Sequence, residues 1–457
     1  MEKMLYILIK TIYIQLSSRI LLDRRINMVF SSTIEKNVFG NIEIAHYLTG
    51  KEEIGMLNMQ KEQLAMYGAK PVREKMLPYG KQWVDETDIE NVVNVLRSDF
   101  LSSGPEIPKF EEALAREAGT RYAVAFSSGT AALHAACFAA GVETGSEVIT
   151  SPLTFAASSN CILYAGGKPV FADIDPLTFN IDSQEVYKKI TPNTKALIIV
   201  DFAGQPAPYN ELYDMASNHG LVTIRDAAHS IGSIYKERRP GMSTDMTIFS
   251  FHPVKHITTG EGGAVVTDRE DFYHQLLMFR NHGITRDEQM LEQQNSPKWY
   301  YEMQFLGYNY RITDIQAALG TSQLKRLEQF VKRRRELAVL YNKAFEQMPG
   351  LAFQQQAEEV SSSWHLYPLR WKKDFFSVSR DTIFQALLAE NIGVNLHYIP
   401  VYLHPYYQSL GYQRGICPNA EAVYEELITI PLFPLMTDRD LQDVVDAVVK
   451  VYNYFLK

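Results

Sequence analysis

Seven short runs of β-forming residues, spread over residues 122–268, constrain most strongly what this chain can fold into. They read YAVAFSS (122–128), EVITSP (147–152), KPVFADI (168–174), ALIIVD (196–201), LVTIRD (221–226), DMTIFS (245–250) and GGAVVTD (262–268). Most are continuously apolar instead of alternating, the pattern of strands covered on both faces. Helical patterns lie between them. TAALHAACFAAG and ELYDMASNHG close on Gly141 and Gly220, where glycine is the residue expected after a last helical turn. Strands alternating with helices predict an α/β fold built on a mainly parallel sheet.

The flanks differ. DETDIENVVNVL (85–96) has an acidic first turn and amphipathic spacing, which predicts a helix. RITDIQAALGTSQLKRLEQFVKRRRELAVLYNKAFEQM reads as a long helix broken near Gly320, and residues 350–457 mix short strands and helices. The expected division is an N-terminal extension of unknown role (1–62), a large domain (63–325) and a small α+β domain (326–457). Within the extension, MLYILIKTIYIQL (4–16) is interrupted by Lys10. It is too short to span a bilayer and is followed by no clear cleavage site, so no membrane role is expected.

Composition narrows the function. Hydrophobic residues make up 46% and charged residues 21%, and the formal net charge is −8. That acidic balance excludes a broad nucleic-acid surface. The basic run Lys332–Arg335 lies among glutamates at helical spacing and reads as a solvated helix face. The three cysteines, Cys137, Cys161 and Cys417, are far apart in sequence and form no CxxC pair. Neither a disulfide framework nor a zinc site is expected, and a reducing cytoplasm is the default expectation.

Three strand ends carry candidate chemistry. SSGTAAL (127–133) sets Gly129, Thr130 and their N–H groups at a helix start, an anion site. Such residues more commonly serve turn geometry alone. Asp226, in IRDAAHS (224–230), emerges where a strand meets its loop, and helix capping is the commoner use there. Ser250 closes the DMTIFS strand, and Lys255 follows in SFHPVKHITTGEGG (250–263). A lone lysine usually belongs to the surface. Glycines 260, 262 and 263, however, permit close backbone approach to a ligand, and desolvation would free the amine to attack a carbonyl. Taken together, the three ends suit pyridoxal 5'-phosphate. Its phosphate needs N–H groups and hydroxyls, its ring nitrogen a carboxylate, and its aldehyde an amine.

Over residues 63–457 the chain resembles the DegT–StrS group of nucleotide-sugar aminotransferases. The likeness rests on MYGAKPVREKMLPYG, FLSSGPEIPKFEEALA, SSGTAALHAA, SPLTFAASSN, DAAHSIGS, SFHPVKHITTGEGGAVVTD, GYNYRITDIQAALG, HYIPVY and TIPLFPLMTD. The resemblance implies a fold-type I transferase with a seven-stranded sheet. It implies that Lys255 forms the Schiff base and transfers protons, and that Asp226 pairs with the pyridine nitrogen. His229 would lie beside the ring and Phe155 on its face, with Gly129, Thr130 and Ser250 on the phosphate. Asn309 would reach the phosphate of a neighbouring subunit, implying a homodimer with shared active sites. Tyr79, Leu101, Ser102, Ser103, Gly104, Asn395, His397 and Tyr398 would line the sugar-nucleotide site.

Within the group, SFHPVKHITTGEGG and PYGKQ are most similar to enzymes of pseudaminic acid biosynthesis. This implies L-glutamate as donor and a UDP-linked 4-keto-6-deoxy-N-acetyl-hexosamine as acceptor. Other 4-keto sugar nucleotides, such as a GDP-perosamine precursor, are the nearest alternatives. A sugar dehydratase of the same fold would carry histidine where Lys255 stands, and a non-enzymatic relic would not need Asp226 and Lys255 together. Two departures matter. Arg225 occupies a place usually acidic, which would alter the charge around the pyridine end, and LSSG replaces an LTQG-like run. His252 and His256, flanking the lysine, read as scaffold and not as metal ligands.

Overall fold

The computed structural model describes residues 63–293 and 295–457, so the predicted extension (1–62) lies outside the described residues. Each apolar run becomes a strand: β1 (Tyr122–Phe126), β2 (Glu147–Thr150), β3 (Lys168–Phe171), β4 (Thr194–Val200), β5 (Val222–Asp226), β6 (Met246–Ser250) and β7 (Gly263–Thr267). They form one seven-stranded sheet in the order β1-β7-β6-β5-β4-β2-β3. Pairing is parallel from β6 through β3, while β7 runs antiparallel to both β1 and β6. Successive side chains on a strand point to opposite faces. Val124 and Phe126 therefore enter one core with Ile224, Ile248 and Val265, while Ala123 and Ala125 enter another with Phe249, Ala264 and Val266. Both faces are buried, which is why the runs do not alternate.

The flanking helices follow from caps and apolar stripes. Helix α1 (Glu86–Leu96) starts at a capping box, Asp85 with Asp88, and α2 (Glu106–Ala118) ends on Gly119 in the left-handed region. Helix α3 (Gly129–Ala139) follows β1 directly, and α4 (Ala157–Tyr164) lies against it. The break expected near Gly320 falls instead at Lys325–Arg326, between α5 (Asp314–Leu324) and α6 (Leu327–Phe345). Gly320 is a packing glycine inside α5. A Cβ there would lie 2.6 Å from the Phe110 ring of α2.

Helix α6 joins two cores. Leu327, Phe330 and Val331 pack beneath the large sheet, and Leu337, Tyr341 and Phe345 enter a C-terminal core. That core covers a three-stranded antiparallel sheet, β8 (Leu351–Phe353), β9 (Tyr367–Trp371) and β10 (Leu427–Ile430), with β9 central. Helices α7 (Arg380–Ala389) and α8 (Asp438–Phe455) pack on it, and Leu64 and Leu77 join the same core from the other end of the described chain.

The basic run on α6 departs from the expected solvated face. Arg334 is buried, and its Nη1 donates to the carbonyls of Leu432 (2.8 Å), His365 (3.0 Å) and Trp364 (3.3 Å). Arg335 likewise donates to Ser362 O (2.8 Å) and Gly232 O (3.0 Å). Loop carbonyls without ladder partners need donors, and a guanidinium supplies several at fixed angles. Cys137 and Cys161 are buried free thiols with their sulfurs 3.5 Å apart, and Cys417 is buried elsewhere. Among the described residues no helix is long and apolar enough to cross a membrane.

Candidate active site

The ends of β1, β5 and β6 open on one cavity of about 570 Å³, lined by Gly129, Thr130, Phe155, Asp226, His229, Ser250 and Lys255. From the other side Tyr79, Asn395, His397 and Tyr398 close it. Ligands of α/β sheets bind beyond the carboxyl ends of the strands, and this cavity has that position and an ordinary ligand-site volume.

One end is an anion cradle. The Ser128 side chain caps α3 by accepting from Ala131 N (3.1 Å), which leaves the N–H groups of Gly129 and Thr130 leading the helix. Ser250 lies alongside, and a Cβ on Gly129 would come within 3.0 Å of its Cβ. Gly263, the register partner of Ser250 on β7, approaches more closely still: a Cβ there would sit 2.5 Å from Gly129 N. Glycine at 263 is what lets this turn sit against the sheet.

The other end is a buried carboxylate. Asp226 Oδ2 accepts from Ser158 Oγ (2.6 Å), and Oδ1 accepts from Ala228 N (3.1 Å). Burial pushes its carboxyl above the ordinary value, against the pull of Ser158, Ala228 and the Lys255 charge. Lys255 lines the same cavity from a loop closed by Phe251 N to Gly262 O (2.9 Å) and Thr259 N to Phe251 O (3.1 Å). Burial, reinforced by Arg334, lowers its ammonium to about 8, although Asp226 opposes the shift. At pH 7 this leaves about a tenth of the lysine as free amine, far more than an ordinary lysine has, and the free amine is the form that attacks a carbonyl.

Between these groups a flat ring has a surface to rest on. Phe155 lines the cavity with 61% of its area exposed, and its centroid is 6.2 Å from that of Tyr398. His229 Nε2 and Tyr398 OH are 3.1 Å apart, and burial holds His229 well below the ordinary imidazole range. His397 Nδ1 lies 3.0 Å from Thr429 Oγ1. Its ring is 5.3 Å from that of Tyr79. An anion cradle, an open aromatic face, a buried carboxylate and a desolvated amine in one cavity fit pyridoxal phosphate in charge and chemistry.

Arg225, expected to alter the charge beside Asp226, is paired with a carboxylate of its own and does not line the cavity. Neighbouring residues on a strand face opposite ways, and Arg225 bonds to the fully buried Asp201 through Nη2 (2.6 Å) and Nε (2.8 Å). Asp201, the residue just past the end of β4, supplies the carboxylate that pairs with Arg225.

Five predicted residues lie outside the Lys255 cavity of their own chain. Asp314 accepts from Gly104 N (2.7 Å) and Glu106 N (2.9 Å), and Ser102 bridges to Thr313. These contacts hold Leu101–Gly104 at the start of α5, where Ser103 and Gly104 line a second cavity with Arg286 and Arg311. Asn309 is exposed and pairs in the backbone with Asn281. Conversely, Thr154, Ser158, Glu261 and His365 line the main cavity and were not singled out from sequence. The spacing TxxxS in SPLTFAASSN was the one available signal for the first two.

A sequence profile of the DegT/DnrJ/EryC1/StrS aminotransferase family matches residues 82–449. The chain is 42% identical to the spore coat polysaccharide biosynthesis protein SpsC of Bacillus subtilis, over 82% of this chain and 97% of that protein. It is 36% identical to a UDP-4-amino-4,6-dideoxy-N-acetyl-beta-L-altrosamine transaminase of Campylobacter jejuni, again over 82% and 97%. Among solved structures, the Helicobacter pylori aminotransferase PseC, involved in pseudaminic acid biosynthesis, superposes with a TM-score of 0.77 at 32% identity, covering 83% of this chain and 99% of that one. A putative sugar aminotransferase of Streptococcus pneumoniae in its PMP form has a TM-score of 0.77 at 30% identity, covering 82% and 98%, and is also known in a PLP form.

Proposed function

The chain belongs to the DegT/DnrJ/EryC1/StrS aminotransferase family, and on that premise we propose that it moves the amino group of L-glutamate to C4 of a UDP-linked 4-keto-6-deoxy-N-acetyl-hexosamine. The product would be UDP-4-amino-4,6-dideoxy-N-acetyl-beta-L-altrosamine, made in the cytoplasm. The observation that carries the reading is the placement of Lys255 and Asp226 in one cavity with the Gly129–Thr130 cradle. Likeness to the Campylobacter jejuni and Helicobacter pylori proteins supports the sugar.

Bound in this cavity, pyridoxal phosphate supplies a carbon that receives the amino group and a ring that withdraws electrons from the donor's α-carbon. Gly129, Thr130 and Ser250 would hold its phosphate, Phe155 its face and Asp226 its ring nitrogen. Asp226, as a carboxylate, keeps a proton on that nitrogen. Lys255 Nζ takes the α-proton from glutamate in one half-reaction and delivers a proton to C4 of the sugar in the other. Proton transfer of this kind contributes about 10²–10⁴-fold to rate. Tyr79, Asn395, His397 and Tyr398 face the same space and would orient the sugar. Leu101, Ser102, Ser103, Gly104 and Asn309 complete the site in a homodimer, where they would reach the partner's cavity.

The second reading is another 4-keto sugar nucleotide as acceptor, since identity to SpsC, a spore coat polysaccharide biosynthesis protein, is 42% and that to the altrosamine transaminase 36%. The test is a panel of 4-keto sugar nucleotides, UDP-, GDP- and dTDP-linked, each supplied with L-glutamate. Turnover of the UDP-linked 4-keto-6-deoxy-N-acetyl-hexosamine at least about tenfold above the others in kcat/KM supports the proposal. Preference for a different nucleotide or sugar replaces it, and no turnover of any keto-sugar refutes the class.

A further inference from the structure

The turn before α4 and the first turn of that helix carry two groups that face the cofactor cavity in different ways. Phe155 offers its ring to the cavity, and three residues later Ser158 turns its hydroxyl toward Asp226. The two are tied together, because Ser158 N donates to Phe155 O (3.2 Å). Ser158 Oγ lies 2.6 Å from Asp226 Oδ2, 2.7 Å from Thr154 Oγ1 and 3.3 Å from Phe155 O. The carboxylate has no proton to give, so the Ser158 hydroxyl donates to it, and the Thr154 hydroxyl then donates to Ser158. Thr154 and Ser158 are 3% and 1% exposed, so water does not compete for either hydroxyl.

We propose that Ser158 is a positioning residue for Asp226, and that Thr154, Ser158 and Asp226 form a hydroxyl relay that keeps the carboxylate ionised and fixes its height against the Phe155 ring. The inference rests on the pyridoxal phosphate reading of the cavity and adds to it the group that keeps its carboxylate charged. Without a donor, a carboxylate this buried would take up a proton, and a neutral acid cannot hold a proton on the ring nitrogen. Each hydroxyl polarises the next, so the chain of two bonds favours the ion more than one alone. The other titratable groups around Asp226 are Lys255, which favours its ionisation, Asp201, which opposes it, and the neutral Cys161, Tyr209 and Tyr398. Of the groups that act directly on Asp226 in favour of the ion, only the hydroxyl of Ser158 can be deleted without removing a charge or a backbone bond.

The test uses the holoenzyme and measures cofactor dissociation and kcat from about pH 5 to 9 for wild type, Ser158→Ala, Ser158→Thr and Thr154→Val. Loss of one hydrogen bond to a buried ion raises its pKa by about one unit. The low-pH limb of cofactor affinity and of kcat should therefore move up by about one pH unit in Ser158→Ala, while the sugar KM stays within about twofold. Thr154→Val should shift the limb in the same direction by less, and Ser158→Thr should restore it. Superposed limbs for Ser158→Ala and wild type overturn the proposal, as does a Ser158→Thr variant as impaired as the alanine. If Ser158→Ala does not fold, Thr154→Val decides, and an unmoved limb there overturns it. A wild-type protein that binds no pyridoxal phosphate would instead sink the underlying reading of the cavity.

Discussion

Replacing Arg225 with methionine separates stability from chemistry. Arg225 and Asp201 are 1% and 0% exposed and form two bonds of 2.6 and 2.8 Å. The guanidinium also donates to Pro240 O (2.8 Å) and lies 4.1 Å from the centre of the Tyr209 ring. Removing one member of a buried pair strands the other and costs about 3–5 kcal/mol. Asp201 would keep the donors Ala207 N (3.0 Å), Tyr209 OH and Ser230 Oγ. Arg225→Met should therefore fall at the low end, about 3 kcal/mol, and Asp201→Asn nearer 5, because Arg225 would retain Pro240 O as its main acceptor. Urea unfolding followed by fluorescence reads both values, and a common m-value shows that the unfolded state is unchanged. The double substitution should cost less than the sum of the two by at least about 1.5 kcal/mol. The cofactor spectrum of Arg225→Met should match wild type, because Arg225 does not line the cavity. Single substitutions costing under about 1 kcal/mol, or an altered spectrum with unchanged stability, would refute this reasoning.

Further predictions follow from the same geometry. Gly263→Ala drives a Cβ to 2.5 Å from Gly129 N, so cofactor affinity measured by dialysis should fall at least about tenfold while the sheet still forms. In cofactor-stripped protein, Lys255 is free amine above about pH 8, so pyridoxal phosphate uptake should rise with pH to a plateau beyond that value. Asp226 raises that value, so Asp226→Asn should move the midpoint to lower pH. Across the interval between the lowered and ordinary lysine values the unfolded chain binds the extra proton, so this group's contribution to stability increases with pH. Glu390 accepts from Ala65 N (2.9 Å), Val72 N (2.9 Å) and the buried Lys450 (3.0 Å), so Glu390→Ala should cost about 3–5 kcal/mol in urea unfolding. Mixing Lys255→Ala and Asn309→Ala subunits should recover about a quarter of wild-type activity, because one site of each mixed dimer regains both residues. No recovery, with mixed dimers confirmed, would argue against sharing.

What the sequence disclosed follows physical range. Asp226 and Lys255 were legible because each ends or closely follows an apolar run, and strand ends at a sheet's carboxyl edge converge. The pairing of Arg225 with Asp201 was not, since it depends on register: Ile199 lies opposite Arg225, which puts the end of β4 beside it. The reversed direction of β7 was equally hidden, because a strand buried on both faces reads the same either way. Gly320 was misread as a break because local propensity cannot report the Phe110 ring that packs on it. Arg334 misled for a related reason: its acceptors, the carbonyls of His365 and Leu432, lie 31 and 98 positions away.

Borohydride reduction of the holoenzyme followed by peptide mass mapping tests the central claim most directly, since reduction fixes the cofactor to whichever amine holds it. The phosphopyridoxyl mass should appear on the peptide containing Lys255, in near-stoichiometric yield, with activity lost in step. Label on another lysine, or no label on a protein that still transaminates, would contradict the account.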